Sequence, residues 1–150
     1  MARTIALATL VAGTLDILFA MILTVIYGRQ IGGMLRYVGS GPVPGAVDMG
    51  TAGAALGLLT HFALMAIMAT GFVIAVRHWP TLLQKPIQAG VLYGLVTYVA
   101  MNLLIVPLRF GTPLPPKPIS IATQLFAHIV LVGIPFALIA AKKLRPGSFA

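Results

Sequence analysis

Cysteine is absent from this chain of 150 residues, and acidic residues are nearly absent. Without cysteine there is no disulfide framework, no thiolate nucleophile and no cysteine-ligated zinc or iron–sulfur cluster. Asp16 and Asp48 are the two acids, and charged residues make up 8% of the chain. A soluble domain carries roughly 25% charged residues, so the composition excludes that class. Disorder is also excluded, because 59% of the residues are hydrophobic and disordered chains are poor in apolar residues.

Long apolar runs take up most of the sequence, and its mean hydropathy is +1.03. A transmembrane helix needs about 20 mostly apolar residues. Runs of that length cover about residues 4–27, 51–76, 87–107 and 119–141. The runs are continuous rather than alternating, which favours helices over strands. The sequence therefore predicts an all-α polytopic membrane protein, with a single transmembrane domain of four helices over residues 1–150.

The connections between the runs predict how the helices are arranged. Short loops join antiparallel neighbours, so the simplest arrangement is an up-down-up-down bundle. The longest connection covers about residues 28–50 and carries four apolar residues at helical spacing, namely Ile31, Met34, Leu35 and Val38. This pattern predicts a short interfacial helix between the first two spans, lying on the membrane surface.

Basic residues are distributed unevenly between the two sides of such a bundle. Six lie on the side that holds both termini, namely Arg3, Arg77, Lys85, Lys142, Lys143 and Arg145. Four lie on the other side, namely Arg29, Arg36, Arg109 and Lys117. By the positive-inside rule we expect both termini in the cytoplasm. Because these charges are scattered over loops and tails, the net charge of +8 indicates topology in a lipid bilayer and no nucleic-acid partner.

Each predicted span carries its small and polar residues on one helical stripe. Small residues let membrane helices approach closely, and the glycines on these stripes are Gly13, Gly53, Gly57, Gly90 and Gly94. The polar residues on the stripes are Asp16, His61, Tyr98, Asn102, Gln124 and His128. Counted at 1.5 Å per residue, four of these side chains lie roughly 14–17 Å below the outer boundary of the membrane. They are Asp16, His61, Tyr98 and His128. The sequence thus predicts one polar layer near the middle of the membrane.

The one acid inside a predicted span is Asp16, and it determines how the polar layer is interpreted. An ionised Asp16 that faced lipid would cost at least about 2.5–3.5 kcal/mol, so we expect it to face the bundle. There it either pairs with a histidine or stays protonated, because desolvation disfavours the charged carboxylate. Ionisable residues inside a membrane are functional candidates by default. The leading prediction is a small membrane protein whose polar layer binds a proton, an ion or a small ligand.

Two alternatives stay open at this point. In the first, the chain is a structural or accessory subunit of a larger membrane complex, and the polar layer joins helices at about 0.6 kcal/mol per hydrogen bond. In the second, His61 and His128 are the two axial ligands of a haem, or bind a metal together with Asp16. A transporter of this length would need to form a homo-oligomer. No P-loop, nucleophile elbow or HExxH motif occurs, so no enzymatic activity is predicted.

Several strings in the chain carry a resemblance to known proteins. They are residues 13–18 (GTLDIL), 57–62 (GLLTHF), 93–98, 101–102 and 106–108, and His128 followed by residues 133–135. Together they resemble small bacterial inner-membrane proteins of the YagU-like type, over most of the chain. The resemblance implies a bacterial inner membrane and a four-helix fold. It supplies no activity and no catalytic residue.

Overall fold

Helices make up all the regular structure of the described residues. The computed structural model describes residues 1–144, so Arg145, one of the basic residues counted above, lies outside the described range. Its five helices are α1 (Ala2–Ile26), α2 (Ile31–Gly39), α3 (Gly50–His78), α4 (Pro86–Phe110) and α5 (Pro118–Leu144). Short 3₁₀ turns at Pro44–Asp48 and Pro80–Leu83 precede α3 and α4.

Four of these helices, α1, α3, α4 and α5, are long and apolar enough to cross a membrane. The shortest have 25 residues and extend about 37 Å at 1.5 Å per residue, which exceeds a hydrocarbon core of about 30 Å. Each helix covers one of the predicted apolar runs, except that α1 ends at Ile26 and leaves Tyr27 just outside. The prediction of an all-α chain with four membrane-length helices is confirmed.

Proline and glycine set the ends and the internal irregularities of α4 and α5. Both helices begin on a proline, whose missing N–H is not needed in the first turn. Gly111 has a φ of +63° and ends α4 in the left-handed conformation. Within each helix a π-helical segment, at Val99–Ile105 in α4 and Ala127–Gly133 in α5, ends two residues before a further proline. A helical proline removes one hydrogen bond and displaces the preceding turn, which accounts for the position of both segments.

The apolar core lies where α1, α3 and α5 meet. Ala8 and Ala12 of α1 pack in one cluster with Met65 and Phe72 of α3 and with Phe136 of α5. The stripe predicted for α3 is buried as one face, since Gly53, Gly57, His61 and Met65 are all buried. His61 therefore lies one helical turn before Met65, at the edge of this apolar core.

Helix α2 packs directly on the first half of α3. A Cβ atom added at Gly39 would lie 2.8 Å from the carbonyl oxygen of Gly53 and 2.9 Å from the amide nitrogen of Gly57. The two backbones therefore touch, and they touch because all three positions lack a side chain. The apolar residues predicted for this helix are exposed at Ile31 and half-buried at Met34, Leu35 and Val38.

Candidate functional site

Asp16 of α1 and His61 of α3 face each other inside the bundle. The distance between Nδ1 of His61 and Oδ2 of Asp16 is 3.9 Å, and the two side chains are 10% and 21% exposed, respectively. Their helices lie in direct contact, since Gly13 of α1 packs against Phe62 and Met65 of α3. The predicted pairing of the carboxyl group with a histidine is thus present in the geometry.

The other ring nitrogen of His61 has a partner of its own. Nε2 donates a hydrogen bond to the backbone carbonyl oxygen of Gly13 at 2.8 Å. Because a carbonyl oxygen can only accept, Nε2 carries a proton in every protonation state of this arrangement. Nδ1 is therefore the nitrogen at which His61 gains or loses a proton, and Nδ1 is the atom that faces Asp16.

Glycine at position 13 allows this close approach of α1 to α3. A Cβ atom at Gly13 would lie 2.7 Å from Cε1 of the Phe62 ring, so a larger residue would require that ring to move. The Phe62 ring lies edge-on to the His61 ring, with their centroids 5.2 Å apart. The glycine thus serves the site directly, since its carbonyl oxygen is the acceptor that orients the imidazole.

His128 of α5 belongs to a second polar group, shared with α4. Nδ1 of His128 lies 3.1 Å from Oγ1 of Thr97, and the Thr97 hydroxyl donates to the carbonyl oxygen of Gly94 at 3.0 Å. The single hydroxyl proton of Thr97 is used in that hydrogen bond, so the Thr97 oxygen can only accept from Nδ1 of His128. Nε2 accepts from the amide nitrogen of Asn102 at 3.1 Å. These contacts define a neutral imidazole protonated on Nδ1, with both ring nitrogens engaged.

The Asn102–His128 hydrogen bond joins the two π-helical segments. Asn102 lies within Val99–Ile105 and His128 within Ala127–Gly133. Close packing holds the helices together next to it, since a Cβ atom at Gly94 would lie 2.6 Å from Cα of Ile129. Segments of this kind are frequent at functional sites. Here the widened turns place the side-chain amide of Asn102 in α4 against the imidazole of His128 in α5.

The six predicted polar residues therefore fall into separate groups rather than one connected layer. Within residues 1–144, no hydrogen bond or ion pair links the Asp16–His61 pair to the Asn102–His128 group. Tyr98 is buried, with its ring edge-on to that of His128 at 6.1 Å. Gln124 is half-buried one turn before His128, and none of the described residues forms a hydrogen bond with its side chain.

The arrangement does not suit a bis-histidine haem or a metal ion. Across residues 1–144, no group of three or more histidine or acidic side chains is placed to hold a metal. An axial ligand needs a free ring nitrogen, and both nitrogens of His128 are hydrogen-bonded. Asp16 and His61 form one group of contacts and His128 belongs to another, so these contacts lend no support to the alternative of one shared metal ion, which stays a prediction.

Sequence reasoning missed two features of the site, the Thr97 side chain and the backbone carbonyl of Gly13. The Thr97 hydroxyl accepts the hydrogen bond from Nδ1 of His128. Thr97 follows Gly94 by three residues, so helical spacing would have placed it beside the predicted stripe of α4. The Gly13 carbonyl leaves no mark in the sequence, because any residue supplies a carbonyl. Thr9, one turn before Gly13, has a buried hydroxyl that forms no hydrogen bond with the described part of the chain.

A further cluster ties α2 to the end of α4. Arg109 donates from Nε to the carbonyl oxygen of Gly41 at 2.7 Å and from Nη2 to that of Ser40 at 2.6 Å. Tyr37 stacks on Phe110, with ring centroids 4.4 Å apart. Burial raises the pKa of Tyr37, and the Arg109 guanidinium opposes that rise. Arg109, which sequence reasoning used only as a topology charge, thus caps the carbonyl end of α2.

Comparison of the chain with protein-family models, with curated proteins and with solved structures finds no match. The resemblance to YagU-like proteins therefore stays a prediction. The function has to be inferred from the chemistry of the residues that the fold brings together, and the two histidines differ in that chemistry.

Proposed function

We propose that this chain is a multi-pass protein of a bacterial inner membrane that binds a proton within the bilayer, at the Asp16–His61 pair. One observation carries the proposal. The Nε2 atom of His61 is tethered to the Gly13 carbonyl at 2.8 Å, and Nδ1 faces the Asp16 carboxyl group at 3.9 Å. An acid and a base that face each other through titratable atoms can share, gain or lose a proton without breaking an existing hydrogen bond.

The membrane arrangement is part of this proposal. Gly90 lies against the backbone of Gly133 and Ile134, whereas Gly94, one turn later, lies against His128 and Ile129. The order of these contacts runs in opposite directions along α4 and α5, which supports an up-down-up-down bundle. In that bundle both termini lie on the more basic, cytoplasmic side. Helix α2 lies at the opposite surface, where Arg109 holds it.

The chemistry of the pair favours one shared proton. In a medium of low dielectric constant a net charge is costly, so the pair is most stable with a total charge of zero. Either Asp16 is protonated beside a neutral His61, or a charged imidazole faces a carboxylate. Uptake or release of one further proton changes the net charge of the site by one unit. Because the groups are coupled, the titration belongs to the pair.

The second polar group supports a structural role. His128 gains a proton only if Asn102 stops donating to Nε2, whereas protonation of His61 at Nδ1 displaces no donor. Polar side chains whose hydrogen bonds are all satisfied by a neighbouring helix stabilise the packing of membrane helices. We therefore assign proton binding to Asp16 and His61 and helix joining to Thr97, Asn102 and His128. Joining helices is also what a structural subunit of a larger complex would require.

Nitrogen NMR of the full-length protein, labelled on histidine and held in detergent micelles, tests the proposal. His78→Gln and His128→Gln variants assign the signals. We expect His61 to titrate from the neutral to the doubly protonated ring, while His128 stays neutral and protonated on Nδ1. Asp16→Asn should change the pH response of the His61 signals, because it removes the carboxyl group that faces Nδ1 at 3.9 Å.

Asp48→Asn is the matched control, since Asp48 is the other acid and lies exposed before α3. If Asp16→Asn and Asp48→Asn leave the same His61 titration, the proposal is wrong. Should Asp16→Asn fail to fold, infrared difference spectroscopy of the wild-type protein and of His61→Gln provides a second measurement. The absorption of the protonated Asp16 carboxyl must then change with pH and must change differently without His61. An identical carboxyl response in both proteins overturns the proposal.

A further inference from the structure

A cavity of about 780 Å³ lies at the end of the bundle where α3 ends and α4 is about to begin. Its wall is mostly apolar and includes Val73 and Val76 of α3, Leu83 of the following 3₁₀ turn and Leu144 of α5. Arg77 is the residue of the lining that has a charged side chain. The volume falls within the range of about 300–1,000 Å³ that is typical of pockets for small organic molecules.

The same end of the bundle has a strong positive charge. Its described basic residues are Arg3, Arg77, Lys85, Lys142 and Lys143. Asp48 precedes α3 at the opposite end and Asp16 lies in the middle of α1, so neither acid of the sequence neutralises this end. Within residues 1–144 the one contact between an acidic and a basic side chain within 4 Å is that of Asp16 with His61, and Arg77 is exposed at the cavity.

We infer that this cavity binds an anionic phospholipid, with the phosphate at Arg77 and part of an acyl chain in the apolar interior. The charged head group matches Arg77, and the acyl chain matches the apolar wall of the cavity. Arg77 follows Val73 by one helical turn, so a basic residue and the apolar wall are about 6 Å apart along the axis of α3. Basic pockets between membrane helices on the cytoplasmic side bind anionic head groups. A free phosphate ion would leave the apolar interior unfilled.

The chain carries a built-in reporter for this site. Trp79 is the only tryptophan in the sequence. It is 64% exposed and directly precedes Pro80, which lines the cavity. Bromine atoms on an acyl chain quench tryptophan fluorescence on contact, so Trp79 reports which lipid occupies its surroundings.

The experiment uses the full-length protein in phosphatidylcholine vesicles that contain a minor share of a brominated lipid. We expect brominated phosphatidylglycerol to quench Trp79 about fivefold more effectively than brominated phosphatidylcholine at equal mole fraction. Arg77→Gln should abolish that difference. Lys142→Gln is the matched control, because it removes one positive charge from the same end without altering the cavity lining, and it should retain the difference.

Two results would overturn the inference. One is equal quenching by both brominated lipids in the wild-type protein. The other is an equal loss in Lys142→Gln and Arg77→Gln, which would show that diffuse surface charge attracts the lipid and that the cavity is no site. Neither result bears on proton binding at Asp16 and His61, which is read from histidine NMR signals in a different part of the bundle.

Discussion

The Asn102 side chain donates to Nε2 of His128 across 3.1 Å, and this hydrogen bond joins the π-helical segments of two neighbouring helices. Because Thr97 engages the other ring nitrogen, the imidazole is held as a neutral structural group. The contrast with His61, whose Nδ1 faces a carboxyl group, separates two histidines that lie at the same depth in the sequence-based prediction.

Replacement of Asn102 by leucine should destabilise the protein by about 1 kcal/mol, within the range measured for hydrogen bonds between membrane helices. The change leaves Nε2 of His128 without its donor inside the bundle. Unfolding in mixed micelles of increasing dodecyl sulfate content measures the loss. Met101→Leu at the adjacent position is the control, and equal stability of the two variants would contradict the structural role of this bond.

A methyl group at position 94 should force α4 and α5 apart. The Cβ atom of Gly94→Ala would lie 2.6 Å from Cα of Ile129, which is backbone and cannot rotate away. We expect a loss of about 1–3 kcal/mol in the free energy of unfolding, the usual cost of overpacking. Gly45→Ala serves as the comparison, because nothing lies within 4 Å of its added methyl group. A Gly94→Ala protein as stable as Gly45→Ala would rule out this backbone contact.

Arg109→Gln should release α2 from the end of α4. The variant loses two hydrogen bonds from one guanidinium to the carbonyl oxygens of Ser40 and Gly41, and glutamine lacks the charge that complements a helix C-terminus. Amide hydrogen exchange over residues 31–41 should accelerate by roughly three- to tenfold, while exchange in α5 stays unchanged. Lys117→Gln removes a charge on the same side and should leave the exchange of α2 unaltered. Similar acceleration in both variants would show a general charge effect instead of a cap.

Much of the architecture could be predicted from the sequence, because the properties that determine it are local. The length of an apolar run compared with the thickness of a bilayer defines a membrane-length helix, and four runs became four such helices. The burial of Gly53, Gly57 and His61 on one face follows from spacing by four residues. A histidine opposite Asp16 was one of the two expected outcomes, since a carboxyl group in an apolar run needs a polar partner, but the sequence did not say which histidine it would be.

The candidate site could be predicted only as a set of residues. Equal depth suggested one polar layer, but depth says nothing about which helices are neighbours. His61 contacts α1 and His128 contacts α4. The two histidines therefore belong to separate clusters of hydrogen-bonded side chains. Arg109 looked like a topology charge because its carbonyl partners lie about 70 residues earlier in the chain.

Composition and hydropathy, read from the sequence alone, determined that this is a helical chain with four membrane-length helices and almost no acidic residues. The absence of cysteine and the scarcity of acids excluded whole classes of chemistry, because those classes depend on residue type. Only the tertiary structure decided the chemical state that each histidine can adopt. A ring nitrogen that a neighbouring helix meets with a hydrogen-bond partner at about 3 Å has a fixed role as donor or acceptor. A ring nitrogen without such a partner can gain or lose a proton, and helix packing decides between the two cases.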